Sequence, residues 1–523
     1  MAGASGRTIV VGLELGDARL VQAWGRAGRL PAIRKLLDRG SWGLLESTAD
    51  RLHISAWPSL YTGAPAGEHG VYFTFQPAPG LQGHQRFQTG LYGRPTFWSL
   101  LDEAGRKCAV LDPPYTHPED GYRSAFVHDW GCWARYLKPG SSPDALIARL
   151  RKHCGSHPLG LEANDLGLAP LDAAELAPRL VASTRAKGAA ARWLCDDQGA
   201  GIFFTVFGET HAAGHYCWAD ALGDADSHLN RTPMLDVYQE IDRAIAQISA
   251  SAGPDDTVVV ISGDSVAPNH AGWHLLPGIL ERLGFLAGPQ SGPDEDAKHG
   301  GPTRVFDPVK AVRDLLPKDF RKSLARMLPT AVRDRLAKRV DAANIDWSRT
   351  RAYTLPTDLE GYIRINLRGR EPLGIVEPGT DYARVLSDLE TELTRLRDPR
   401  TGRAIVRDVL RVDDEFPGDR RGWLPDLVVR WDASAPIDAA MSDRVGTITL
   451  PSPDPRPGTH AGPGFVLAAG PGIPAQAVLE GGSIFDFAPT LLARLGVAVP
   501  AHMRGRVWSE WTGTLDRARS RAS

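Results

Sequence analysis

The stretch from Thr8 to Asp17 reads TIVVGLELGD, and it predicts the class of fold. From Thr8 to Leu13 the residues are β-branched, apolar or glycine, without polar alternation, which is typical of a strand buried on both faces of a parallel sheet. The run ends at Glu14, and in an open α/β sheet ligands gather beyond the carboxyl ends of the strands. Glu14 is therefore a candidate functional residue, with a helix cap or an ordinary loop acid as the alternative.

Later apolar runs repeat this pattern. Each lies next to polar residues that could bind a ligand: residues 201–207 before His211, residues 257–261 before Asp264, and residues 464–469 after His460. Between them, Leu235 to Ile248 places apolar side chains on one helical face. Strands that alternate with helices of this length predict an α/β fold, with a mainly parallel sheet and helices on both of its faces.

The composition limits the classes of function. Lys plus Arg number 60 and Asp plus Glu number 62, so the formal charge of −2 favours neither a nucleic acid nor a membrane partner. A small anionic substrate is the expected partner, and the oligomeric state stays open. The Cys count is 5, an odd number without a CxxC pair, which predicts neither a disulfide framework nor a thiolate zinc site.

The remaining composition bears on location and domain number. No window of the sequence approaches the length of a membrane span, and residues 1–17 lack a charged start followed by a long apolar run, so we expect a cytoplasmic protein. A chain of 523 residues exceeds the usual size of a single core. We therefore expect a core of residues 1–300 and 440–523, carrying one inserted or appended unit.

That unit is predicted between about residues 300 and 440. It opens with a basic, helix-rich segment from Val309 to Arg339 and continues through strand-like runs, which indicates an inserted cap subdomain. A shorter insertion is predicted at about 75–190. Its aromatic residues could line the entrance to a site: Trp98, Trp130, Trp133 and Tyr136.

A family resemblance enters with Ala56 to Gly63 (AWPSLYTG) and Glu68 to Val71 (EHGV). These segments resemble the stretch around the nucleophile of type I phosphodiesterases and the related phosphohydrolase/phosphomutase group, within the alkaline phosphatase superfamily. Further segments carry the resemblance along the chain from about residue 8 to 508: residues 346–353, 365–372, 424–427 and 483–492. The resemblance implies an alkaline phosphatase-like sheet whose strand ends hold two divalent metals, usually zinc, and a Thr or Ser that attacks phosphorus.

The family's first metal site maps onto histidines. Its pattern of an Asp, a His four residues later and a distant His falls here on His211, His215 and His460, so the Asp has become His211. A set of three imidazoles suits zinc or iron and leaves positions open for water or substrate. The alternative is that His211 and His215 simply fill a polar loop.

The second metal site is altered as well. The resemblance places Glu14 at the position of the first Asp, His53 at that of the nucleophile, and Asp264 at that of the adjacent Asp-His pair. Glu14, His53 and Asp264 could form an oxygen/nitrogen site for iron, manganese or zinc, or this half could have lost its metal. The expected cofactor is one or two divalent ions, with zinc first and iron or manganese as alternatives.

His53 and Ser55 are the candidate catalytic residues. A neutral imidazole can be a ligand, a base or a phosphoryl acceptor, but it cannot form the ester that the family's Thr makes. On a regular strand Ser55 would share a face with His53 and could serve as a nucleophile.

These features predict a metal-dependent hydrolase of the type I phosphodiesterase kind, acting on a small phosphate ester, diester or related anion, with activated water as the attacking group. One alternative is a non-phosphoryl metalloenzyme that performs redox chemistry or carbon-heteroatom cleavage at iron or another metal. The other is a non-catalytic binding protein.

Overall fold

A computed structural model describes residues 6–87, 92–131, 139–159, 172–218, 232–288 and 345–512. Within these residues the strands are β1 Thr8–Leu13, β2 Ser41–Glu46, β3 Phe75–Gln76, β4 Gln85–Arg86, β5 Cys108–Leu111, β6 Ala125–His128, β7 Gly140–Ser142, β8 Ile202–Phe207, β9 Thr257–Ser262, β10 Ser265–Pro268, β11 Ala352–Thr354, β12 Gly361–Ile365, β13 Val406–Arg411, β14 Leu427–Trp431, β15 Ala439–Ser442, β16 Gly446–Thr449, β17 Gly458–Ala461, β18 Gly464–Ala469 and β19 Ala477–Ser483. The helices are α1 Ala18–Arg26, α2 Pro31–Arg39, α3 Ala56–Thr62, α4 Ala66–His69, α5 Phe97–Glu103, α6 Ala145–Cys154, α7 Ala173–Gln198, α8 Glu209–Tyr216, α9 Pro233–Ile248, α10 Leu276–Arg282, α11 Thr380–Thr394, α12 Val412–Glu415, α13 Phe487–Arg494 and α14 Ser509–Thr512. The helical segment predicted from Val309 to Arg339, and the aromatic residues Trp133 and Tyr136, lie outside the described residues.

A 9-stranded sheet forms the centre of the fold, in the order β19-β2-β18-β9-β1-β8-β5-β6-β7. Pairing is parallel along β9-β1-β8-β5-β6 and between β19 and β2, whereas β18 and β7 run antiparallel to their neighbours. The predicted α/β class with a mainly parallel sheet is confirmed.

Strand β1 lies inside this sheet, between β8 and β9, and every one of its residues is buried. Ile9 and Val11 face a cluster built with α1, α2, α7 and α9, while Val10 faces a second cluster built with α3, α5 and α13. Because successive side chains of a strand point to opposite faces, an apolar run without alternation is what a sheet covered on both sides requires.

The segment predicted as an insertion at about 75–190 differs from the expectation. It supplies β5, β6 and β7 to the main sheet, so a large part of it is core. These strands have only three or four residues each, bounded by turns, and runs this short carry little periodic signal in the sequence.

A second sheet, in the order β11-β12-β14-β13, packs its own apolar cluster with α10 and α11. The division of the chain into a core and a cap at residues 300–440 stays a prediction. No helix among the described residues has the length and apolar character that crossing a membrane requires.

A small two-stranded sheet positions the candidate site. β10 follows β9 almost directly and pairs antiparallel with β17, with Val266 opposite His460. This pairing brings a histidine from near the end of the chain to the carboxyl edge of the main sheet.

Candidate metal centre

Three histidines converge at the carboxyl edge of the sheet. His211 and His215 lie on α8, which follows β8, and residues four apart on a helix share a face. His460 lies on β17. One ligand atom from each imidazole lies within 4.8 Å of the others, and we refer to His211, His215 and His460 as the three-histidine site.

Hydrogen bonds orient these imidazoles. Nδ1 of His215 lies 2.7 Å from the carbonyl oxygen of Gly458, and Nδ1 of His460 lies 2.7 Å from Oδ2 of Asp264. Because a carbonyl and a carboxylate only accept hydrogen bonds, both Nδ1 atoms carry the proton and both Nε2 atoms keep a lone pair. The Nε2 atoms of His211 and His215 are 3.1 Å apart, so His211 donates a proton to His215 when no cation is bound.

Burial keeps two of these imidazoles neutral. Burial first, and then positively charged neighbours, lower the pKa of His211 and of His215 well below the ordinary value. A metal ligand must be neutral imidazole, so His211 and His215 do not have to lose a positive charge before they bind a cation.

Asp264 lies beside the three-histidine site and holds His460. Its Oδ2 accepts from His460, and its Oδ1 accepts from the backbone N–H of Leu15 at 2.8 Å. Both carboxylate oxygens therefore have partners, as in a carboxylate that orients a metal-binding histidine. The predicted role of Asp264 as a direct ligand stays a prediction.

Glu14 extends from the end of β1 into the same region. It is buried, and its Oε2 has no hydrogen-bond partner among the described residues. Burial first, and then the charge of Asp264, raise the pKa of Glu14 well above its ordinary value. A buried carboxyl group without a partner is costly, and a cation would offset that cost. Its role as a ligand stays a prediction that this environment supports.

His53 lies between two carboxylates. Its Nδ1 is 3.0 Å from Oε2 of Glu360, its Nε2 is 3.3 Å from Oδ1 of Asp358, and its ring centroid is 5.0 Å from that of His460. Each ring nitrogen thus faces an acceptor of a proton. This geometry favours a charged imidazole beside the three-histidine site, and it does not favour the predicted metal-ligand role.

Ser55 differs from the expectation in its local structure. Residues His53 to Ser55 form a single 3₁₀ turn before α3, so the argument from a shared strand face does not apply. The Ser55 hydroxyl is fully buried, donates to the carbonyl of Leu52 at 2.6 Å and lies 2.8 Å from Oγ1 of Thr48. Its role as a nucleophile stays a prediction that these contacts do not favour.

Sequence reasoning missed Asp358, Glu360 and Arg456. Arg456 holds Oδ2 of Asp358 at 3.0 Å, and Tyr362 donates to Glu360 at 2.9 Å, so both carboxylates that face His53 are fixed in turn. A pair of acids two residues apart is too common in sequences to indicate a partner. The contact with His53 spans 307 residues of sequence and exists only in the folded chain.

The charge of His53 can be measured directly. Burial opposes protonation, but the charges and hydrogen bonds of Glu360 and Asp358 outweigh it and raise the pKa of His53 from 6.5 to about 10. We expect the His53 imidazole of the metal-free protein to titrate near this value by NMR, with the resonance assigned by its loss in His53→Gln. Removing one carboxylate in Glu360→Gln should lower the pKa by about one unit or more. A His53 resonance that titrates near 6.5 would contradict the arrangement.

The donor set fits a divalent ion. His215 and His460 have a fixed orientation, and His211 lies beside them. Glu14 adds a buried carboxyl group whose Oε2 has no partner among the described residues. Zinc and similar cations bind such imidazole and carboxylate ligands. Together the sheet and this donor set define the class of protein, an α/β protein with a candidate metal centre at the carboxyl edge of its main sheet.

A sequence match narrows this class. The family model for type I phosphodiesterase / nucleotide pyrophosphatase matches residues 8–269, which is half of the 523-residue chain. The chain belongs to this family of phosphoryl hydrolases. No curated protein sequence matches it.

The chain is also similar in structure to solved proteins of low sequence identity. Phosphonoacetate hydrolase from Sinorhizobium meliloti, in complex with phosphonoformate, gives a TM-score of 0.49 at 14% identity, with 94% of this chain and 96% of that chain covered. Murine ectonucleotide pyrophosphatase / phosphodiesterase 5, in complex with AMP, gives 0.48 at 11% identity, with 98% and 100% covered. The human protein of the same name gives 0.47 at 9% identity, with 97% and 99% covered.

Proposed function

We propose that the protein is a metal-dependent phosphohydrolase of the type I phosphodiesterase kind, acting on a small phosphate ester, diester or related anion. The observation that carries the proposal is the convergence of His211, His215 and His460, with the Nδ1 atoms of His215 and His460 hydrogen-bonded away from the shared centre. His211, His215 and His460 would hold a divalent ion, which would supply positive charge to the phosphoryl oxygens and activate water. Metal-dependent release of phosphate or of a phosphomonoester from a substrate panel tests this proposal.

The side chains around the three-histidine site have separate proposed roles in binding the metal and in catalysis. Asp264 orients His460, and Glu14 supplies a carboxylate that would bind the same or a second ion. The family resemblance puts His53 at the position of the nucleophile, so attack of water would replace attack by a Thr or Ser. The positive charge of a protonated His53, held by Asp358 and Glu360, would stabilise negative charge on the phosphoryl oxygens.

A cavity next to His53 provides room for the organic part of a substrate. It has a volume of about 760 Å³, and its lining is rich in aromatic side chains: Phe73, Trp273, Trp347, Tyr353 and Tyr362. Phe73 also makes an edge contact with His53, with ring centroids 5.7 Å apart. The proposed substrate therefore carries an apolar or aromatic group beside its phosphate.

Trp347 provides a test of this cavity. Trp347→Leu should raise KM for an aromatic phosphodiester by about 10-fold while leaving kcat for a methyl phosphate ester unchanged, because about 1–2 kcal/mol of apolar burial is lost. Trp193→Leu, which changes a tryptophan on α7 that stacks on His153, is the matched control. If Trp347→Leu lowered kcat/KM equally for the two substrates, the cavity would not be part of the substrate-binding site.

The redox alternative rests on one observation, the all-imidazole character of the three-histidine site. Imidazole ligands suit iron as well as zinc. Elemental analysis of the purified protein separates the two functions: stoichiometric zinc without iron, together with phosphate release, supports hydrolysis. Stoichiometric iron without phosphate release on the panel would instead favour the non-phosphoryl enzyme.

A further inference from the structure

A second group of metal-binding side chains lies at the end of β6. His117, His128 and Asp129 each offer one ligand atom, and these atoms lie within 4.8 Å of one another. His128 ends β6, Asp129 follows it, and His117 lies in the loop between β5 and β6. Because β8 and β5 separate β6 from β1 in the sheet, this group is roughly 14 Å from the end of β1 at about 4.8 Å per strand.

Both imidazoles of this group face the same carboxylate oxygen. Nε2 of His117 is 2.7 Å and Nδ1 of His128 is 3.0 Å from Oδ2 of Asp129. The ligand atoms of one zinc ion, each about 2.0–2.2 Å from the metal, lie roughly 3.0–3.5 Å apart. Small outward shifts of these side chains are enough to place a cation among them.

The backbone around Asp129 is held in place. Asp129 has a φ of 53°, in the left-handed region, and the next two residues donate backbone N–H bonds to the carboxylate of Asp112 at 2.7 and 2.8 Å. Asp112 in turn lies 3.1 Å from Nζ of the buried Lys187. These contacts fix the backbone at Asp129, directly after β6, as a rigid set of ligands requires.

Burial and charge also suit a cation. The Asp129 side chain is 4% exposed, whereas that of His117 is 27% exposed, so the group has a buried carboxylate and an open side for entry of an ion. Burial opposes ionisation of Asp129, but hydrogen bonds from His117 and His128 outweigh it and hold the pKa of its carboxyl below the usual value.

We propose that His117, His128 and Asp129 form a further divalent-cation site, of the two-histidine, one-carboxylate kind, which takes zinc or ferrous iron with water in the remaining positions. A bound ion fastens the β5–β6 loop, residues 112–124, to the edge of the main sheet. The loop carries Tyr115, which packs against the apolar cluster of Ile54, Val71 and Phe87.

Zn²⁺ binding to the full chain tests this site. The background is the double variant His211→Ala/His460→Ala, stripped with a chelator, dialysed against Zn²⁺ and analysed for metal per chain. We expect an ion to remain, and to be lost on adding Asp129→Asn, because an amide is a far weaker ligand while Asn tolerates the left-handed backbone. His128→Gln is a second variant, and His153→Ala, on α6, is the matched control that should retain the ion.

Hydrogen exchange of residues 112–124 tests whether the bound ion holds this loop against the main sheet. In the same background, Zn²⁺ should slow exchange in the loop, and Asp129→Asn should remove this effect while near-UV circular dichroism stays native. The site is overturned if the background binds no Zn²⁺, or if both Asp129→Asn and His128→Gln keep the ion. Zn²⁺ bound with unchanged loop exchange would overturn the fastening role.

Discussion

His211→Ala is expected to lower kcat/KM for a phosphate ester by about 10³-fold, because the charge stabilisation that a bound metal supplies is worth several kcal/mol. The variant leaves Nε2 of His215 without its neighbour at 3.1 Å and the three-histidine site with two imidazoles. Metal content should fall by one ion per chain. Elemental analysis after dialysis, together with steady-state assays on p-nitrophenyl phosphate and bis(p-nitrophenyl) phosphate, measures both effects.

Two further variants make this result specific. His211→Asp puts back the ligand that the family pattern has at this position, so it should keep the ion that His211→Ala loses. His270→Ala changes a histidine whose Nδ1 lies 2.8 Å from the carbonyl oxygen of Ala433, and it should leave metal content and rate unchanged. If His211→Ala retained both the ion and the rate, the three-histidine site would not be the catalytic centre.

His53→Gln should lower kcat by about 10²-fold, because the variant removes a positive charge that lies beside the three-histidine site and would stabilise developing negative charge. Metal content should stay at the wild-type value, because the ring nitrogens of His53 face Glu360 and Asp358. The same purified protein, assayed for metal and for phosphate release, provides both numbers. A loss of metal in His53→Gln would instead establish the ligand role that the sequence suggested.

The pH profile gives an independent test of His53. A raised pKa means that the imidazolium is present at neutral pH and is lost as pH rises through the folded-state pKa of about 10. A bound cation lowers this pKa, so the alkaline limb of kcat should fall below that pH. The limb should move to lower pH in Glu360→Gln and disappear in His53→Gln. An alkaline limb that is the same in all three proteins would assign the titration to another group.

Much of the fold could be predicted because buried parallel strands have a strong local signal. The runs at Thr8–Leu13, Ile202–Phe207 and Thr257–Ser262 are continuous and rich in β-branched or aromatic residues, and each is buried along its whole length. The short strands β5, β6 and β7 carry no such signal, so the stretch that contains them was predicted as an insertion.

The sequence by itself predicted the α/β class, because the ends of buried strands are local features, and its family resemblance indicated His211, His215 and His460 as a candidate metal site. Only the tertiary structure decided the surroundings of His53, since Asp358 and Glu360 lie far along the chain from it. It also decided that Asp264 supports His460 and that Ser55 is hydrogen-bonded inside a 3₁₀ turn. The physical reason is that proton positions and charge depend on which groups meet in space, and these contacts form only when distant segments fold together.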